Sequence, residues 1–228
     1  MKRSLLTALV ASFAATLPSS ALAHVEVASG VAFAGRTQLV TFGVGHGCEG
    51  ADTASVRIEI PASVASVRAL DSTFGRASVE RDASDRVVAV TWEKPEADLL
   101  EGDDNYYELT LRIRVPDAPF TRIHFPTYQT CRTPDGATIT AEWTAAPGEE
   151  GEAAPVLTIV PARSRGWNRY LVPVDVDALD LFFADALIVW KGDAAFSANE
   201  ETAAQIERTP GVTLLTSLAA GDEIQVKY

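Results

Sequence analysis

Residues 36–161 are written as short runs of β-branched and aromatic residues, and this repetition limits the possible folds more than any other feature of the chain. The runs are "RTQLVTFGV" (36–44), "ASVRIEIP" (54–61), "RVVAVTWE" (86–93), "NYYELTLRIRVP" (105–116), "TRIHFPTYQT" (121–130), "TITAEWTA" (138–145) and "PVLTIVP" (155–161). Several alternate with a period of two: Val56, Ile58 and Ile60 would face one way, Arg57 and Glu59 the other. Turn-forming clusters such as "GHGCEGAD", "EGDDN" and "TPDGA" separate them. Seven or so strands at this spacing, with no convincing helix between them, predict an all-β antiparallel sandwich of the immunoglobulin or fibronectin kind.

The character changes after Pro161. "ARSRGWNRYL" is locally basic, and the stretch that follows, "VPVDVDALDLFFADALIVWKG", is apolar segments broken by acids. Residues 197–211 form the best helical pattern in the chain, with Ser197 and Glu200 spaced as a capping box and Pro210-Gly211 as a stop. "DEIQVKY" closes as a strand. The chain therefore divides into a sandwich, 24–162, and a small α+β part, 163–228, whose own core would be marginal and which should dock on the sandwich. Trp167 and Trp190 in that part read either as core aromatics of a small domain or as a docking surface.

Residues 1–23 have the layout of a secretory signal peptide. Lys2 and Arg3 precede an apolar run from Leu5 to Leu17, and Ala21-Leu22-Ala23 fits the small-x-small cleavage pattern. The run is too short for a comfortable membrane span, and no later stretch is long and apolar enough to make one. Cleavage after Ala23 would send a periplasmic or secreted chain out with His24 first. Losing Lys2 and Arg3 takes the formal net charge from −12 to −14. So acidic a chain is repelled by nucleic acid and anionic lipid. In an oxidising compartment its two cysteines, Cys48 and Cys131, read as one disulfide. A thiolate pair holding Cu(I) or Zn(II) is the rival reading, and it lacks the close CxxC spacing.

A chain that begins at His24 offers an α-amine and an imidazole Nδ1 on one residue. The two can chelate a single ion, and borderline nitrogen donors suit Cu(II), at the top of the divalent affinity order. The amine must shed a proton to bind, which near pH 7 is inexpensive. A second side chain would have to complete the site. His46 lies in the Gly-rich "GVGHGCEG" loop beside Cys48, where a sandwich presents ligands. His124, in "RIHFP", reads as a structural or surface histidine on the opposite side of its strand from Ile123 and Phe125. Trp143 reads as a strand aromatic that could also cover a metal site and tune it.

In order along the chain, "AHVEV", "GHGCEGADTASVRIEIP", "VTWEKP", "YYELTLRIRVPD", "IHFPTYQTCRTPDG" and "AEWTAAP" resemble the motifs of the YcnI-like family of exported copper-associated proteins, over residues 24–160. The resemblance implies a β-sandwich that binds Cu(II) through the N-terminal amine and ring of His24, beside Trp143. The remaining ligand of that family is a carboxylate. Here Arg57 stands where some relatives have an acid, so His46 is the first candidate, with Glu49 and Glu142 behind it. Many relatives end in a membrane anchor or a second copper-chaperone domain; this chain shows neither pattern, and its residues 163–228 inherit no role.

Three functions follow. The first is a Cu(II)-binding protein for trafficking or homeostasis, exchanging its ion with a copper-donating or copper-accepting periplasmic protein and catalysing no reaction. The second is a copper-dependent oxidoreductase of the histidine-brace type, although no aromatic platform for a polymer is evident in the sequence. The third is a metal-free interaction module. No nucleophile elbow, phosphate-binding loop or zinc-protease motif points elsewhere.

Overall fold

The structure, a computed structural model, describes residues 24–228; the expected signal peptide lies outside the described residues. Along the first part run β1 (Val25–Val27), β2 (Ala32–Phe33), β3 (Thr37–Val44), β4 (Asp52–Glu59), β5 (Ala65–Ala69), β6 (Arg76–Arg81), β7 (Val87–Glu93), β8 (Tyr107–Arg114), β9 (Thr121–His124), β10 (Thr127–Arg132), β11 (Thr138–Ala145), β12 (Glu152–Ala153) and β13 (Val156–Val160). They form two main sheets, in the orders β1-β3-β8-β5 and β12-β11-β10-β4-β7-β6, with a small third sheet β2-β13-β9. The result is the expected sandwich. Pro126, which has no N–H to donate, splits the single run expected over 121–130 into β9 and β10.

Alternation builds the core. Val40, Phe42 and Val44 of β3, Val56 and Ile58 of β4, and Leu109, Leu111 and Ile113 of β8 are all fully buried in one cluster with Trp92 and Phe125. A polar set is sealed at its edge. Lys94 Nζ lies 2.6 Å from Asp52 Oδ2 and 2.7 Å from the Tyr107 hydroxyl, which itself donates to Asp52 Oδ1 at 2.7 Å. Both charged side chains are almost wholly buried, so their hydrogen bonds have to replace water.

The second part has α1 (Leu179–Phe183), α2 (Glu200–Arg208) and a five-stranded sheet ordered β14-β18-β15-β16-β17, made of β14 (Trp167–Leu171), β15 (Ile188–Lys191), β16 (Ala194–Phe196), β17 (Thr213–Leu214) and β18 (Glu223–Lys227). Its buried cluster includes sandwich residues: Phe120 and Val160 pack among Val172, Phe182 and Phe183. The Phe120 ring meets Phe182 and Phe183 at centroid distances of 5.8 and 5.6 Å. The cap of α2 corrects the sequence reading. Asn199 accepts from the Thr202 N–H at 3.0 Å, while the Ser197 hydroxyl turns away to donate to Leu187 O at 2.9 Å.

Candidate metal centre

The candidate site stands at one rim of the sandwich, where β1, the end of β3 and the inner face of β10 and β11 meet. Antiparallel pairing of Val25 with Val44 sets His24 opposite the residue that follows β3, and the Gly45 N–H donates to His24 O at 3.2 Å. The His24 side chain is exposed. No described residue hydrogen-bonds its ring nitrogens; its ring meets that of Trp143 edge-on, with centroids 5.7 Å apart and planes at 88°.

Trp143 is buried because strand alternation along β11 turns it inward. Its indole N–H is directed at Gln129 Oε1, 3.3 Å away. Gln129, fully buried on β10, donates through Nε2 to His46 O at 2.8 Å and to Thr53 Oγ1 at 2.9 Å. One amide thus ties the tryptophan to the backbone of the loop that carries His46. The sequence reading did not single out Gln129. The available signal was its position in "YQTC", two residues before Cys131 and so on the same inward face.

The loop itself is held tightly. Cys48 and Ala51 exchange backbone hydrogen bonds of 3.1 and 2.9 Å around Glu49 and Gly50, both with positive φ. Cys48 is bonded to Cys131, as expected from the sequence, and the bridge pins the loop to β10. Gly47 has no room for a side chain: a Cβ there would lie 1.8 Å from Ala51 O and 2.9 Å from Asp103 Cβ. This close approach brings a carboxylate to the loop that the sequence reading missed, since Asp103 sits within an apparent turn cluster. His46 Nδ1 is 3.0 Å from Gly47 O and 3.9 Å from Asp103 Oδ2.

The remaining candidates separate. Glu49 is exposed at the tip of the turn. Glu142 needs a correction: although it adjoins Trp143 in sequence, alternation turns it to the exposed outer face, where it pairs in register with Tyr128. It does not stand beside His24. Glu152, in the short β12, is the register neighbour of Trp143. Among the described residues no three His, Cys, Asp or Glu side chains cluster as a ready-made metal site. A site taking two nitrogens from one residue, as expected of a His24 freed by cleavage, would not require such a cluster. His124 lies half-buried on β9, facing away from the core, and burial holds its pKa below the usual histidine value, with Arg122 adding to the effect.

A family model described as a domain of unknown function, DUF1775, matches residues 24–159, from His24 to the end of the sandwich. The chain belongs to the DUF1775 family. An uncharacterised protein from Nocardia farcinica, described as having an immunoglobulin-like fold, is 26% identical over 61% of this DUF1775 chain and 96% of its own, with a TM-score of 0.47. A DUF4466 family protein from Parabacteroides merdae is 9% identical over 68% of the chain and 47% of its own, with a TM-score of 0.24. No curated protein matches the chain. The disulfide points to an extracytoplasmic location for this DUF1775 protein. Among the described residues no helix is long and apolar enough to cross a membrane.

Proposed function

We propose that this DUF1775 protein is YcnI-like: a periplasmic Cu(II)-binding protein that takes its cargo at a processed N-terminal His24 and exchanges it with a donor or acceptor protein, catalysing no reaction. The observation that carries the reading is the edge-on approach of the exposed His24 ring to buried Trp143. These residues are remote in sequence, yet they are the two that the family resemblance selects. Cleavage before His24 would free the amine, and amine plus Nδ1 would hold the ion from one residue.

Each surrounding group has a part in this. The Trp143 indole, fixed through Gln129, closes one side of the site to water and orients the imidazole. His46 is the first candidate for a second side-chain ligand because its loop is anchored by the disulfide and by Gln129. Exposed His24 leaves the ion open to an incoming donor, so transfer can proceed by replacing one ligand at a time.

The test is a Cu(II) titration of the processed protein, followed by quenching of indole fluorescence. One ion should bind, and Trp143→Phe should remove most of the quenching. Losing a supporting group at a metal site costs roughly 10–100-fold in affinity, so His24→Ala should cost more than about 100-fold and His46→Ala about 10–100-fold. Unchanged affinity in His24→Ala would reject the site. Transfer to an apo acceptor no faster than from free copper would reject the trafficking role while leaving the binding intact.

A further inference from the structure

The sheet of the C-terminal part has one face packed into the molecule and one face bare. Val189, Ile224 and Val226 point inward and are buried. Antiparallel register fixes what stands on the other side. Trp167, Lys227 and Ile188 form one row across β14, β18 and β15; Arg169, Gln225 and Trp190 form the next; Leu171 and Glu223 form a third. Trp167 is 55% exposed and Leu171 66%, while Trp190 is partly exposed. A depression of about 490 Å³ is lined by Trp167, Arg169, Trp190, Gly192, Glu223 and Gln225. This region lies outside the DUF1775 match, and none of its residues belongs to the proposed copper site.

We infer that this face is a binding site for a neutral saccharide chain, with the two indoles as stacking platforms. The chemistry of the face selects that ligand. Trp167 and Trp190 stand two strands and one row apart, about 12 Å between backbones from ordinary sheet spacings, so alternate sugar rings of one chain, with one ring between them, can lie over the two indoles. The strand between the two indoles carries Lys227 and Gln225, and Arg169 and Glu223 flank Gln225 on the same face, so the groups a polyol needs are at hand. Gln225 offers a donor and an acceptor from one amide, Arg169 offers donors and Glu223 acceptors. Arg169 and Glu223 are ion-paired with each other, so neither presents an unbalanced charge.

Other occupants fit less well. A cation would meet Lys227, whose Nζ is 5.8 Å from the Trp167 ring centroid and already occupies the place a ligand cation would take there. An anion would find a single cation, Lys227, on a chain whose net charge is −12 before and −14 after loss of residues 1–23. A protein partner, including a second copy, is usually met by an apolar centre inside a polar rim. Here the middle strand carries only polar side chains on this face, Lys227, Gln225 and Glu223, while Trp167, Leu171, Ile188 and Trp190 stand on the strands either side. A sugar chain, with apolar C–H faces and hydroxyl edges, matches that order.

The experiment is affinity electrophoresis of the full chain in native gels containing hydroxyethylcellulose, glucomannan or soluble starch, backed by fluorescence titration with cello- and chito-oligosaccharides. At least one neutral polymer should retard the protein. Trp167→Ala and Trp190→Ala should each weaken retention about tenfold, the loss of one stacking contact, and Gln225→Ala should weaken it less. Unfolding midpoints of the three variants, measured alongside, should stay at the wild-type value. The inference is overturned if no neutral polymer or oligosaccharide binds, or if binding is unchanged in all three folded variants. It is also overturned if sedimentation shows a dimer that Trp167→Ala dissociates, because a second copy would then be what covers the face.

Discussion

The four tryptophans fall into two pairs, and the two regions of the molecule place them oppositely. Trp92 and Trp143 in the sandwich are 0% and 2% exposed, whereas Trp167 is 55% exposed and Trp190 partly so. The ion pairs divide the same way. Lys94–Asp52 is sealed in the sandwich, while Lys191–Asp222, at 2.5 Å, has side chains 39% and 18% exposed. A sandwich has two sheets, and the inward residues of each are covered by the other. The C-terminal sheet is covered on one side only, so half its alternating residues must face water. Residue type alone therefore does not say whether a side chain serves stability or contact; the number of layers around it does.

The ion pairs provide the largest test of that contrast. Lys94→Met would leave Asp52 charged and buried without its partner, at a cost of about 3–5 kcal/mol in unfolding free energy from urea titration. Lys191→Met should leave the urea midpoint nearly unchanged. Similar losses from both would mean that the C-terminal part is as tightly closed as the sandwich.

The tryptophans test it next. Trp92→Ala should cost about 3–5 kcal/mol, the usual range for emptying a large aromatic site in a core. Trp167→Ala should fall within about 0.5 kcal/mol of wild type, as substitutions on an open surface do. A large loss at Trp167 would show that the bare face is covered in solution.

The same contrast explains what could be read from the sequence. Runs such as 36–44, 86–93 and 138–145 matched strands closely because each has one face in the core and so alternates. The strands β5 and β6 gave no such signal: they are sheet edges, and "RASVER" is exposed at five of its six positions. At the candidate site, His24 stood out by its position in the chain and Trp143 by its motif. Gln129 and Asp103 did not, because their roles exist only after β10 meets the 45–51 loop and Gly47 admits the 100–105 segment. Trp167 and Trp190 were open between core and docking surface, and the sheet's uncovered side, which leaves Trp167 exposed and Trp190 partly so, excludes a core role for Trp167.

The smallest effect is a pH dependence at His124. Burial of the imidazole is the larger cause of its lowered pKa, Arg122 the smaller, and its buried Nδ1 has no hydrogen-bond partner among the described residues. Below about pH 6.5 the unfolded chain binds the proton that the folded one resists, so stability falls as pH drops from there through the folded pKa; above it this group adds no slope. Urea midpoints of wild type and His124→Gln should differ by a constant amount above neutrality. Below it, wild type should lose ground to the variant. A difference independent of pH would contradict this account of His124.

The central claim is that a processed His24 is itself the copper anchor, and one measurement addresses it directly. Cu(II) EPR spectra should be compared between the protein beginning at His24 and a version with one alanine added before it. The extension keeps every side chain and converts only the α-amine to an amide. The account predicts a single nitrogen-rich Cu(II) signal in the first protein and loss of both that signal and the affinity in the second. Identical spectra and affinities in the two would place the copper elsewhere and contradict the claim.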